Sequence, residues 1–243
     1  MPGGGEGGRA VRFVLLHSPL LGPLMWRAVA DDLRERGAAA ETPAWRSLTQ
    51  IDGGFYRTLA TDLAQAVDGA GGDPVTLVAH SGAGALVPAL VAALSAPVAA
   101  IILVDAILPH PGLSWFDTAP PGLRQELTQA SQGGELPSWD GWWPPGALER
   151  LVPEPRLRSA LVDELGPLPL AFFEEVAPPG GLQGEGAYLQ LSGAYDDQAQ
   201  AARALGWRAR RLQLNHLSPL TAPREVAASV YALARDLAEH AGG

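Results

Sequence analysis

The chain has 243 residues, 47% of them hydrophobic and 18% charged, with a formal net charge of −9. That composition is globular and suits one α/β domain with a sizeable core, and the acidic balance argues against a nucleic-acid partner. All 17 basic residues are Arg and there is no Cys, which excludes a Schiff-base lysine, a lysine base, a phosphate-loop lysine, thiol catalysis, disulfides and thiolate metal sites.

In chain order, residues 1–9 read as a flexible Gly-rich tail without the basic and apolar regions of a signal peptide. No apolar run reaches the roughly 18 residues of a membrane span, and the expectation is a cytoplasmic protein. Residues 10–108 read as the first part of an α/β core. Val11 to Leu16 is an apolar strand, Trp26 to Arg36 a helix with Val29 and Leu33 four apart, and Ala38 to Ala40 a weak strand. Phe55 to Val67 is an amphipathic helix, with Leu59, Leu63 and Val67 at helical spacing. Val75 to Ala79 is a short buried strand that runs into a small-residue helix, Ala83 to Leu94, and Val98 to Val104 is a second buried strand. Short apolar strands separated by helices predict a mostly parallel, doubly wound sheet covered on both faces.

The rhythm breaks after Leu108. Residues 109–184 hold most of the prolines and the aromatic residues Trp115, Phe116, Trp139, Trp142, Trp143, Phe172 and Phe173. A linker would not carry so many large apolar side chains, so this stretch reads as an insertion of short helices. The core pattern resumes over 185–243, with strands at Ala187 to Leu191 and Arg208 to Leu214 and helices at Asp196 to Leu205 and Arg224 to Glu239. Pro223 is a suitable start for the last helix.

The densest chemical signal is Val75-Thr-Leu-Val-Ala-His-Ser-Gly-Ala-Gly84. Ser81 stands on a tight strand-to-helix turn with small neighbours, Ala79 and Ala83, two residues away on either side. Such a turn strains the backbone but lifts the hydroxyl clear of the sheet, with the Gly82 N–H facing the same space. Serine then needs a base and a group to orient it. His216, in the loop after the last strand, is the best base, because active sites gather at that edge of a parallel sheet. Of the other histidines, His17 ends the first strand, His80 neighbours Ser81 but is expected to point elsewhere, His110 opens the insertion and His240 is in the tail. The five are too scattered to form a metal site. Two residues compete for the acid. Asp196 follows the next-to-last strand and Asp105 closes the strand before the insertion, with Asp196 preferred and Asp197 read as a solvated first-turn residue.

These parts, in order, resemble the α/β-hydrolase superfamily: His17 and its loop, the elbow at Ser81, Asp196, and His216. The resemblance implies an eight-stranded sheet, here lacking its first two strands, and a small helical cap at 109–184, after the family's sixth strand. It also implies cofactor-free chemistry. The usual pattern Gly-x-Ser-x-Gly has Ala at both glycine positions here. Where family members carry His-Gly-x, with the N–H of x in the oxyanion hole, this chain has His17-Ser18-Pro19-Leu20. Proline has no N–H, so the donors left are Gly82 and either the Leu20 N–H or the Ser18 hydroxyl. His17, Trp115, Phe116, Trp142 and Trp143 are the candidate substrate-lining residues, facing a mostly apolar small molecule. The few Arg in the insertion (Arg124, Arg150, Arg156, Arg158) argue against a polyanionic substrate.

The expected function is hydrolysis of an ester, lactone or thioester by Ser81, His216 and an aspartate. A cofactor-free lyase or cyclase is the alternative, and a non-catalytic small-molecule binder a third reading. A homodimer is compatible with the sequence.

Overall fold

The computed structural model describes residues 11–120, 122–182 and 186–241. The tail read for residues 1–9 lies outside them. Strand β1 (Arg12–Leu16) is buried along its length. Its side chains alternate, as a strand's must: Phe13 and Leu15 join one apolar cluster, Val14 and Leu16 another. The chain continues through α1 (Leu24–Glu35), β2 (Ala39–Glu41), α2 (Phe55–Gly69), β3 (Val75–His80), α3 (Val87–Ala93) and β4 (Val98–Val104). The residues between β3 and α3, Ser81–Leu86, form a tighter 3₁₀ coil rather than the α-helix expected from Ala83. Pro88, near the start of α3, begins the regular helix.

The insertion comprises α4 (Trp115–Thr118), α5 (Leu123–Ala130), β5 (Glu135–Leu136), α6 (Ala147–Leu151), α7 (Pro155–Asp163), β6 (Leu168–Pro169) and α8 (Leu170–Glu174). The short helices match the sequence reading, but the antiparallel β5–β6 pair was not expected. Two-residue strands have no periodicity to read. After it come β7 (Gly186–Gln190), α9 (Asp196–Ala204), β8 (Arg208–Arg211), α10 (Ser218–Thr221) and α11 (Pro223–Ala241). The strand expected to reach Leu214 stops at Arg211, on the sheet's edge.

The main sheet has six parallel strands in the order β2-β1-β3-β4-β7-β8. Trp26, Val29 and Leu33 of α1 and Val226, Val230 and Leu233 of α11 cover one face. Leu63 and Val67 of α2, Val87 and Leu90 of α3, and Ala199 and Ala202 of α9 cover the other. The sheet is therefore doubly wound. Strand order reverses between β1 and β3, and a crevice opens at the C-terminal ends of strands at such a switch point. The loop from His17 and the turn at Ser81 flank that crevice.

A third apolar cluster ties the insertion to the core. Phe116, Leu136, Leu168, Phe172 and Phe173 pack with Phe55 and Tyr56 of α2 and with Ala85 and Leu86 just behind Ser81. Two carboxylates reinforce it. Glu164 accepts a hydrogen bond from the Leu24 N–H at 2.9 Å, at the start of α1. Glu175 accepts from the N–H groups of Phe55 and Tyr56, at 2.9 and 3.1 Å, at the start of α2. Each satisfies unpaired N–H groups and sits at the positive end of a helix dipole. Gly22 admits the first contact, because a Cβ there would stand 2.1 Å from a Glu164 carboxylate oxygen. Among the described residues no helix is long and apolar enough to cross a membrane.

Candidate active site

Ser81 has φ of 56°, a left-handed conformation that costs a non-glycine residue about 1–3 kcal/mol unless its surroundings enforce it. They do. His80 enters the turn fully extended, and the Ile107 N–H donates to the Ser81 carbonyl at 3.1 Å. Gly84 lets the two segments approach this closely: a Cβ there would lie 2.1 Å from the Ile107 carbonyl oxygen. Ala79 and Ala83 are fully buried, which leaves no room for larger side chains beside the turn.

His216 lies between β8 and α10. Its Nδ1–H donates to Asp105 Oδ2 at 3.2 Å, so Nε2 keeps the lone pair that a base needs. Asp105 is fully buried, at the end of β4, with φ of 41°. Its Oδ1 accepts from the N–H groups of Leu191 and Ser192 at 2.7 and 3.1 Å, and its Oδ2 from the Ser192 hydroxyl at 2.6 Å. Burial alone would raise the carboxyl's pKa, but hydrogen bonds from His216, Ser192 and Leu191 outweigh it and hold it below the usual range. The preference for Asp196 is corrected here. Its carboxylate binds Arg211 at 3.0 Å and the Gln190 amide, in the exposed first turn of α9. The turn after β7 delivers Ser192 to Asp105 and aims Asp196 outward. Asp197 is exposed beside it, as expected.

Two residues that the sequence reading did not bring to the site pack against the imidazole. The His80 ring stacks on His216 at 4.5 Å, and its Nε2–H donates to the His216 carbonyl at 2.9 Å. The expectation that His80 points elsewhere is thus also corrected, and its place directly before Ser81 was the available signal. Tyr195 lies parallel to His216, with ring centroids 4.9 Å apart, and its hydroxyl is 3.4 Å from Ser81 Oγ. Among the described residues this phenol is the one side chain bonded to the Ser81 hydroxyl, and no hydrogen bond joins Ser81 to His216 in this geometry. Such bonds often form only once substrate is bound.

His17 is buried beside the site, with Nδ1–H donating to the Ser18 carbonyl at 2.8 Å and its ring edge-on to Trp45. Burial pushes His17 down to about 4, and burial followed by the neighbouring His216 pushes His80 down to about 3, from an ordinary 6.5. Both are neutral at pH 7. Below 6.5 the unfolded chain takes up these protons and the folded chain does not, so stability falls as pH drops from about 6.5 toward 4. Each group contributes a slope of about 1.4 kcal/mol per pH unit. The expected result is a urea midpoint that declines steadily between pH 6.5 and 4.5. A flat midpoint there would show that the two rings are protonated in the folded state.

The loop after β1 supplies the remaining polar groups. Ser18 is buried, and a Cβ on Gly82 would stand 3.1 Å from Ser18 Oγ, so the two residues adjoin. The Leu20 N–H donates to Ser18 Oγ at 3.3 Å, and among the described residues the Ser18 hydroxyl donates to no partner. Of the aromatic candidates, Trp115 and Phe116 pack on Phe173, at 5.0 and 5.7 Å, within the cluster behind Ser81. Trp142 packs on the same ring at 5.6 Å, and both it and Leu20 border that cluster. Trp143 does not join them. It is 45% exposed, edge-on to Trp139, and lines an outer cleft with Pro144 and Arg158. Among the described residues no group of three or more His, Asp or Glu is arranged to hold a metal ion.

The whole frame is shared with known structures. An extracellular α/β-hydrolase from a Paenibacillus species, described as sharing structural and functional homology with tobacco salicylic acid binding protein 2, superposes with a TM-score of 0.75 at 20% identity, over 92% of this chain and 98% of that one. A pyrethroid hydrolase from Sphingobium faniae gives 0.68 at 18%, over 95% and 99%. Tomato methylketone synthase I, solved with 2-tridecanone, gives 0.66 at 12%, over 95% and 100%. No curated protein matches the chain by sequence. The model of the α/β hydrolase family matches residues 13–229, which takes in the elbow, Asp105 and His216, and the chain belongs to that family.

Proposed function

We propose that the protein is a serine hydrolase that cleaves a carboxylic ester, lactone or thioester of a mostly apolar small molecule. The observation that carries this reading is the His216 imidazole held by the buried Asp105 carboxylate at 3.2 Å, beside a serine lifted on a strained turn. In this reading His216 Nε2 takes the Ser81 proton as Oγ attacks the carbonyl carbon, then returns it to the leaving oxygen or sulfur. Asp105 fixes the tautomer and stabilises the imidazolium. A water activated by the same imidazole frees the acyl group. The insertion over residues 109–184 serves as a cap, with Trp115, Phe116 and Trp142 giving its inner side an apolar character. Pyrethroid hydrolase and the other neighbours suggest the substrate class by analogy of fold alone.

The oxyanion is met by the Gly82 N–H and, in place of the N–H that Pro19 lacks, the Ser18 hydroxyl. Ser18→Ala should then lower kcat about 10²- to 10³-fold with little change in KM. Full activity in that variant would remove Ser18 from the site. Pro19 also favours a second reading, a lyase or cyclase in which His216 and Ser81 only move protons and no tetrahedral oxyanion forms. The deciding experiment is exposure to p-nitrophenyl esters and to a fluorophosphonate. A burst of nitrophenol and a phosphonate adduct on Ser81 are expected. Proton transfer chemistry without either would favour the second reading, and tight ligand binding with no turnover would make the protein a binder.

A further inference from the structure

Tyr195 is bound up with the site more closely than a chance neighbour. It ends the turn Gly193–Tyr195, which begins beside Ser192, the residue that gives Asp105 two of its hydrogen bonds. One short turn therefore contacts the acid, the imidazole face and the serine hydroxyl. Resting on the serine-hydrolase reading above, we infer that Tyr195 is a further catalytic residue: its phenol donates a hydrogen bond to Ser81 Oγ as that oxygen loses its proton, while its ring backs the His216 imidazolium.

The chemistry follows from which groups carry protons. Burial, which outweighs the hydrogen bond with Ser81, holds the phenol up to about 12, so near neutral pH it keeps its proton and can donate it in a hydrogen bond. When His216 Nε2 removes the Ser81 proton, negative charge gathers on Oγ until its bond to the carbonyl carbon forms and the carbonyl electron pair moves to oxygen. A donor 3.4 Å away at rest needs to close by about 0.6–0.7 Å to bond that charge at the usual O–H···O length. The Tyr195 proton stays on its own oxygen throughout, so His216 still carries the proton to the leaving group. The parallel stack at 4.9 Å sets the phenol's π face against the imidazole ring.

The test measures the rate of Ser81 phosphonylation by a fluorophosphonate, in which Oγ attacks phosphorus, fluoride leaves and His216 takes the proton. No natural substrate is needed. Tyr195→Phe keeps the stack and removes only the donor, and it should label about tenfold more slowly or worse, as loss of a hydrogen bond to a charged group implies. Its thermal midpoint should match that of the parent chain. Tyr195→Leu removes the ring as well and should be slower still. If Tyr195→Phe labels within threefold of the parent rate, the phenol does not assist Ser81 and the inference is wrong. If the phenylalanine variant is slow but Tyr195→Leu is no slower, the ring's part is overturned and the donor's stands. A parent chain that fails to label at all would overturn the serine-hydrolase reading and this inference with it, whereas a labelled parent with an equally fast phenylalanine variant would overturn this inference alone.

Discussion

Ser81→Ala and His216→Ala should each abolish ester turnover, with a loss of about 10⁴- to 10⁶-fold in kcat, and the double variant should be hardly worse than either. The reasoning is that nucleophile and base act as one unit: once the proton has nowhere to go, the hydroxyl adds nothing, and the converse also holds. Ser81→Ala should fold normally, because the elbow is held by the Ile107 hydrogen bond and the close approach at Gly84 rather than by the serine hydroxyl. His216→Ala leaves the Asp105 carboxylate with the bonds from Leu191 and Ser192, so it too should fold, with a modest loss of stability. Steady-state kinetics of the three variants check this. Losses that multiply would mean that Ser81 and His216 work independently, and a single variant keeping a tenth of the activity would dismiss its residue from the mechanism.

The second large effect separates two aspartates. Asp105→Asn should cut kcat by about 10⁴-fold, since an amide can hold the wrong imidazole tautomer and cannot stabilise imidazolium. Asp196→Asn should cost less than a factor of three, because it weakens an exposed ion pair with Arg211, worth about 0–1 kcal/mol, and a bond from the Gln190 amide, neither of which touches His216. A reversal of this order would mean that the turn after β7 rearranges when substrate binds, carrying Asp196 inward.

That pair of residues also marks where the sequence stops being legible. Apolar runs and helical spacing placed the core strands and helices to within a few residues, because those patterns are consequences of burial on two faces of one sheet. The Ser81 turn was legible for a similar reason, since small residues between a buried strand and a helix have few other uses. The acid was not legible. Asp105 and Asp196 both follow strands of the same sheet, β4 and β7, which are neighbours in it, and both precede His216 in the chain. What separates them is the φ of 41° at Asp105 and the inward turn of Ser192, which depend on tertiary contacts. Tyr195 was missed for the same reason: a tyrosine in a turn carries no signal until the ring beside it is known. Trp143 shows the converse error, where aromatic content suggested a lining and the residue faces an outer cleft.

The two glutamates that anchor the insertion bear on how a substrate gets in. Glu164 grips a helix on one face of the sheet and Glu175 a helix on the other, so the segment straddles the sheet's rim like a strap buckled at both sides. Swinging the whole strap away would break three charge-assisted hydrogen bonds together and uncap two helices, a cost of several kcal/mol. Leu20, only partly buried at the cluster's margin, can turn while both buckles stay fastened, whereas Trp142 is held by its indole N–H, which donates to the Pro137 carbonyl at 2.9 Å. If the insertion roofs the site as proposed, entry is left to movements smaller than the opening of the strap, and slim molecules should be admitted ahead of broad ones.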